Sequence, residues 1–307
     1  MYTYDNFWNR TIGLKDYMFT QLIITGISIG SIYALMALAM SIIYKTSEVP
    51  NFAQGEMAMV ATFVAYLLQV SFQLPVYYAL AGALLFAILL GGLVEFLFLR
   101  RAKNPSPVDL VVITIGIQLM LQGLAGWKFG SEQKEFPFPI LDNEVVNIGP
   151  VVASQLNLLT IAISLTLMLL LFLFFKYTRL GIAMKATQQN PVAARINGIR
   201  TNRILSITWG ISSFIGAVAG ILLAPTATLD PYLMWEPLIK GFAAAVLGGM
   251  TSLAGAVLGG YLLGIIENLF GAYISLEFKS TVAFFVIVLV LWFRPSGLFS
   301  KHFERKV

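Results

Sequence analysis

The run LNLLTIAISLTLMLLLFLFFKYTRLGIAMKATQQNPVAARINGIRTNR, residues 156–203, sets the terms for the whole chain. Its first part holds about the 20 consecutive, predominantly apolar residues that a helix needs to cross the hydrocarbon core of a bilayer. From Lys176 onward the character reverses: Lys176, Arg179, Lys185, Arg195, Arg200 and Arg203 follow with no acidic residue between them. A lipid-crossing helix that runs into a basic loop marks a membrane protein and gives it an orientation, because Lys and Arg collect in short cytoplasmic loops.

Outward from this run, further apolar stretches fall at roughly 17–43, 52–71, 75–99, 108–127, 204–224, 253–274 and 278–293, with a shorter one at roughly 238–250. With the 155–175 run this predicts about eight spans, plus a short half-helix or re-entrant segment. If the short segment passes through, there are nine crossings. Lipid offers no hydrogen bonds to the backbone, so apolar runs of this length must be helical, and the alternating segments of about ten residues that a β-barrel requires are not seen. The fold expected is an all-α polytopic membrane bundle, with residues 1–307 as one transmembrane domain: a polar N-terminal segment at 1–16, a basic segment at 178–203 and a tail at 294–307.

Composition agrees. The chain is 58% hydrophobic and 11% charged, against about 25% charged in soluble domains. The net charge of +5 sits in short gaps between apolar runs, which suits a bilayer and not a nucleic acid. There is no Cys, and the only His is His302, so no metal or cofactor is expected in this chain. The first apolar run is too long for a cleavable signal peptide. The basic groups at Arg100, Arg101 and Lys103, at 176–203, and at Arg294, Lys301, Arg305 and Lys306 fall on one face, provided the short segment crosses. That face is then cytoplasmic, and the opposite loops carry Glu132, Glu135, Asp142, Glu144, Asp230 and Glu236. The N-terminus lies outside if 52–71 is a full crossing, with Arg10 and Lys15 arguing against it.

Glycines four apart, at Gly26/Gly30, Gly216/Gly220, Gly255/Gly259 and Gly260/Gly264, predict close helix contacts. Three polar segments stand out. In Asn51-Phe52-Ala53-Gln54-Gly55-Glu56, which follows Pro50, Asn51 can cap the next helix, with Gln54 three residues on in a capping-box variant and Glu56 favourably placed on the helix dipole. This is either a well-made helix start or part of a pathway, since polar groups leading into a span face protein or water. The second is Pro237-Leu238-Ile239-Lys240-Gly241, a Pro- and Gly-flanked start to the short helix. With 50–71 it forms a weak internal repeat of the kind that places a substrate path between two halves. Glu267 lies mid-span and must face the bundle interior, with Lys240 as its candidate partner, while Glu95 precedes Arg100 and Arg101 as an interfacial ion pair. The third is 181–199, where Gly181 opens the segment, Asn190 caps a second short helix with Pro191 at its first position, and Gly198 ends it. Two capped, Ala-rich helices outside the lipid suit docking on another protein.

Two enzyme-like readings fail. Gly26-Ile27-Ser28-Ile29-Gly30 fits a nucleophile pattern, but no His lies near any span to act as base. No G-x-x-x-x-G-K-[ST] loop occurs, so ATP hydrolysis would belong to another subunit.

The Asn51–Glu56 signature, the run Gly181-Ile182-Ala183-Met184-Lys185-Ala186 through Asn190 and Ala194 to Gly198-Ile199, the block Lys240–Gly249 with Ser252, Gly255, Gly259, Gly260, Gly264 and Glu267, and Arg294-Pro295-Ser296-Gly297-Leu298 occur in order along nearly the whole chain. Together they resemble the Liv-type branched-chain amino acid permease family of bacterial and archaeal ABC importers, in its H-type subunit. The resemblance implies a bundle similar to type II ABC importers and a multi-pass location in the plasma (inner) membrane. It also implies three kinds of partner: a second homologous permease subunit, two cytoplasmic ATP-binding subunits, and an extracytoplasmic substrate-binding protein. Asn51, Gln54, Gly55, Glu56, Lys240, Gly241 and Glu267 would then line the translocation path. Gly181, Ile182, Ala183, Met184, Lys185, Ala186, Asn190, Ala194 and Gly198 would couple to the ATPases. Many relatives have His where this chain has Gln54, and some carry urea or short amides, so the substrate stays open among these and the neutral amino acids. An ATP-independent channel or ion-coupled carrier is the remaining alternative.

Overall fold

A computed structural model describes residues 4–102, 105–139, 145–148, 151–294 and 296–299. The positions expected to carry charge at Lys103, Asp142, Glu144, Lys301, Arg305 and Lys306 lie outside the described residues, as do His302 and the side chains of Arg10 and Lys15. The chain forms α1 (Tyr4–Ser47), α2 (Gln54–Tyr66), α3 (Val76–Val94), α4 (Pro107–Phe129), a β1–β2 hairpin (Val145–Ile148, Val151–Ser154), α5 (Gln155–Tyr177), α6 (Arg179–Gln189), α7 (Pro191–Ile196), α8 (Thr201–Leu223), α9 (Trp235–Gly248), α10 (Leu253–Tyr273) and α11 (Thr281–Phe293).

The span count differs from the expected eight. Among the described residues, 6 helices are long and apolar enough to cross a membrane: the Met18–Ser47 part of α1, α3 with its extension to Leu99, α4, α5, α8 and α10. The expected 52–71 span is a 13-residue α2 continued by a 5-residue π-helical segment, Leu67–Ser71. The expected 278–293 span is a 13-residue helix. The 238–250 stretch is a 14-residue helix, about 21 Å long at 1.5 Å per residue and so shorter than a typical hydrocarbon core of about 30 Å. These elements fall short because a turn consumes their first residues: 50–53 before α2 and 275–280 before α11. The polar segment at 1–16 does not stand apart from the first span; from Tyr4 it belongs to α1, one helix of 44 residues. The hairpin is the other departure from an all-helical expectation. It is antiparallel, pairing Val145 with Ser154 through Ile148 with Val151, and is too short to produce a readable alternation.

The glycine pairs hold the bundle together. A Cβ on Gly26 or Gly30 would press on the backbone of α10 at Ile265 or Tyr261, and one on Gly260 or Gly264 would enter the backbone of α1 at Ala34 or Gly30. Gly255 and Gly259 meet α9 at Gly248 and Ala244, while Gly216 and Gly220 meet α2 at Gln54, Ala58 and Thr62. Each small residue lets two main chains approach where a side chain would hold them apart. The contacts also give directions: α10 runs antiparallel to both α1 and α9.

The packing has an exchange pattern that gives the weak internal repeat a spatial form. If α1, α2 and α3 are matched with α8, α9 and α10, the three most extensive contacts have their counterparts. α1 lies on α10 as α8 lies on α3, and α9 lies on α1 as α2 lies on α8. The crossing glycines follow suit, with Gly91 of α3 and Gly210 of α8 meeting at Trp209 and Ile88. The two short helices, α2 and α9, approach through their first turns, where Gly55 abuts Leu238 and the rings of Phe52 and Phe242 stand 6.0 Å apart.

Candidate functional site

Two of the three basic regions converge where the end of α3 meets the start of α8. Glu95 is buried in the π-helical end of α3 (Glu95–Leu99) and pairs with Arg100 at 2.8 Å. Arg100 also donates to the Asn202 carbonyl at 2.9 Å and to Ser206 Oγ at 2.6 Å, and Ser206 in turn donates to Glu95 at 2.6 Å. The expected interfacial ion pair therefore fastens α3 to α8. On this face α6 packs against α5, α8 and α1.

The segment 178–199 is ordered by local chemistry. Gly181 does not open it: Thr178 caps α6, its Oγ1 accepting from Gly181 N at 3.0 Å. Gly181 sits inside the first turn because a Cβ there would strike the backbone of Phe174 and Phe175. The second helix is built as expected. Asn190 Oδ1 accepts from Val192 N at 3.0 Å and Ala193 N at 2.9 Å, Pro191 follows, and Gly198 ends the turn at φ +80°. Gly181, Met184 and Ala194 face the bundle and are buried, Ala183 and Ala186 are half-buried, and Ile182, Lys185, Asn190 and Gly198 face outward. Two outward apolar residues escaped the sequence reading, Val192 at 65% and Ile196 at 82% exposure. Both share α7 with Arg195, which suggests a solvated helix; the signal is an apolar residue with no partner on so short a helix.

The Asn51–Glu56 segment is buried. Asn51 does not cap α2, whose N-cap residue is Ala53 with no side-chain cap bond. Asn51 Oδ1 instead accepts from Ala53 N at 3.0 Å in an Asx turn, and its amide donates to Gln54 Oε1 at 3.1 Å. Gln54 is then committed to α8, donating to the Ser212 carbonyl and accepting from Ser212 Oγ, both at 2.9 Å. Ser212 Oγ lies 2.8 Å from the Ala39 carbonyl of α1, so one buried amide ties three helices. Gly55 admits Leu238, and Glu56 is buried toward Gln118 of α4.

The other predicted path residues gather elsewhere. Gly241 lets α9 sit against Met36 of α1. Lys240 Nζ donates to Glu267 Oε1 at 2.6 Å, to Glu236 Oε2 at 3.3 Å and to Ser280 Oγ at 3.3 Å, and stands 5.5 Å from the centre of the Tyr33 ring. Lys240 and Glu267 are both almost wholly buried. Desolvating two such charges is tolerable only when they satisfy one another. They line a cavity of about 920 Å³ between α1, α4, α5, α8, α9, α10 and the turn before α11, on the side of the bundle away from α6 and α7. Asn51, Gln54, Gly55 and Glu56 are not in its wall. The two halves of the expected path are thus adjacent through α2 and α9 but form separate clusters.

A family profile described as "Branched-chain amino acid transport system / permease component" matches residues 22–291. The high-affinity branched-chain amino acid transport permease LivH of Escherichia coli is 31% identical over 94% of this chain and 98% of its own. BraD of Pseudomonas aeruginosa, of the same description, is 30% identical over 95% and 99%. Among solved structures, PsaBC from Streptococcus pneumoniae, determined with a Fab, superposes over 93% of this chain and 95% of that one, with a TM-score of 0.51 at 14% identity, a likeness of fold. This chain, a multi-pass helical membrane protein, belongs to the branched-chain amino acid transport permease family.

Proposed function

We propose that this chain is the H-type permease subunit of an ATP-driven importer, passing branched-chain and other neutral amino acids across the plasma membrane of a bacterium or archaeon. The single observation that carries the reading is the α6–α7 pair. Two short helices with well-made caps stand outside the spanning helices and turn Ile182, Val192 and Ile196 outward, while Gly181, Met184 and Ala194 fix them to the bundle. An unstructured basic loop would satisfy charge bias alone; capped helices with unpartnered apolar residues suit the groove of a motor subunit. The chain carries no phosphate-binding loop of its own, so two ATP-binding subunits supply the hydrolysis. A second homologous permease subunit completes the path, and an extracytoplasmic binding protein delivers the substrate to the face bearing the cavity.

In the mechanism proposed, closure of the ATPase pair moves α6 and α7, and α5 and α8, to which they are anchored, carry the displacement to the α2 and α9 starts. The test is reconstitution of the full assembly in liposomes. Leucine uptake should require ATP and both ATPase subunits; uptake that persists without them would replace the importer with a channel or ion-coupled carrier.

A further inference from the structure

The charges around the outward cavity balance in a particular way. Among the described residues that line it, four are charged: Glu236, Lys240, Glu267 and Lys279. Two carboxylates and two ammonium groups sum to zero. Their commitments are unequal, however. An ammonium group has three protons, and Lys240 uses all three on Glu267, Glu236 and Ser280. Glu236 receives both Lys240 and, at 3.0 Å, Ser280. By contrast Lys279 makes one long bond, 3.5 Å to Asn268 Oδ1. Glu267 Oε2 is buried without a hydrogen bond of the kind that Oε1 makes, with the Tyr33 hydroxyl facing the same carboxylate. One acceptor and one cation of opposite sign are therefore left with capacity.

These two lie close together. The Lys279 stem passes over Gly271, where a Cβ would meet its side chain at 2.9 Å. Gly271 is four residues beyond Glu267 on α10, so the two positions are neighbours on one helix face, about 5–6 Å apart. Beside them the wall becomes apolar, with Ile29, Ile32, Leu222, Leu223 and Leu233. The volume falls in the range of small-molecule sites, about 300–1,000 Å³.

We infer that this cavity is a receiving site for a zwitterion with an aliphatic side chain, with Glu267 taking the ammonium group, Lys279 the carboxylate and the Ile29–Leu233 wall the side chain. A purely cationic or anionic ligand would leave a net charge in a poorly solvated site, which is costly; a zwitterion leaves none. This rests on the import reading above, and adds to it the site and the residues that select the ligand's two charges.

The chain has no native Cys, so a single introduced thiol reports on one place. Ala227→Cys, on the cavity wall, and separately Thr226→Cys, would be put in the full assembly and labelled with a membrane-impermeant maleimide, the label being read on this chain by intact mass. Saturating leucine should slow labelling at least fivefold. Leucinol, which lacks the carboxylate, and 4-methylpentanoate, which lacks the ammonium, should slow it less than twofold. Lys279→Gln should reduce leucine's protection below twofold, and Lys279→Arg should retain it. Equal protection by leucine and 4-methylpentanoate, protection indifferent to Lys279→Gln, or no protection at either position would overturn the site. ATP-driven leucine uptake by the same preparation is measured alongside. Its absence defeats the import reading, whereas uptake without protection defeats only this site.

Discussion

Replacing Gly264 with Ala tests whether the α1–α10 seam is a backbone-to-backbone contact. The new methyl would meet the Gly30 backbone and the Gly26 carbonyl, and neither is the far end of a flexible side chain that could swing away. Overpacking of this kind costs about 1–3 kcal/mol. The Ala itself returns up to about 1 kcal/mol of helix propensity. Against a Gly→Ala change at an open site, which gains the same propensity, the loss is then about 1–3 kcal/mol, roughly a 5–150-fold shift toward the unfolded form. Gly123 on α4 provides the control, because a Cβ there meets nothing within 4 Å, so Gly123→Ala should be neutral or mildly stabilising. Unfolding midpoints of the two purified variants in one detergent, taken beside the parent, decide it. If Gly264→Ala melts no lower than Gly123→Ala, the seam is looser than described and the spacing of the α10 glycines carries no packing information.

Other outcomes follow from the same contacts. Lys240→Met should destabilise by about 3–5 kcal/mol, because Glu267 is left buried and unpaired; Lys240→Met with Glu267→Met should recover most of the loss, seen as a return of the melting midpoint. Asn190→Ala removes the bonds to Val192 and Ala193 and should weaken α7 by about 1 kcal/mol, lowering ATP-dependent uptake while membrane insertion, read by extraction and protease protection, stays normal. Gly198→Pro cannot adopt the positive φ at that position and should abolish ATP-coupled uptake in an inserted protein; unchanged uptake would remove 178–199 from the coupling role. Gln54→Leu leaves the Ser212 hydroxyl and carbonyl without their amide partner and should cost about 1–3 kcal/mol, again read by melting.

What could be read in the chain beforehand was local or forced by the solvent. Asn190, Pro191 and Gly198 declare their helix within nine residues, and the structure builds it from those signals. Lys240 and Glu267 could be paired in advance because an apolar medium leaves an embedded charge few alternatives. What stayed hidden depends on distant partners. Nothing near Asn51 says that Gln54 is engaged by Ser212, 158 residues away, and without that the Asn51–Gln54 spacing reads as a capping box when it is an Asx turn. Gly181 reads as the opening of its segment, whereas it lies within the first turn of α6 and admits the end of α5. The runs at 52–71 and 278–293 read as full spans because hydropathy does not register where a turn ends and a helix begins. Lys279 was missed because it lies in the turn before α11, outside every apolar run.

The exchange of partners between the two halves bears on how the protein is made. α1 leaves the ribosome well before the helix it chiefly packs against, α10, which begins at Leu253. At translation rates of about 5–20 residues per second, the glycine-lined side of α1 waits about 10–40 seconds for its mate. Throughout that interval its grooves lie against lipid or an insertion factor, and no early subset of helices can close them. Biogenesis of this fold therefore has a late, concerted closing step, and truncation anywhere before the tenth helix should leave inserted but unpaired segments for membrane quality control to remove.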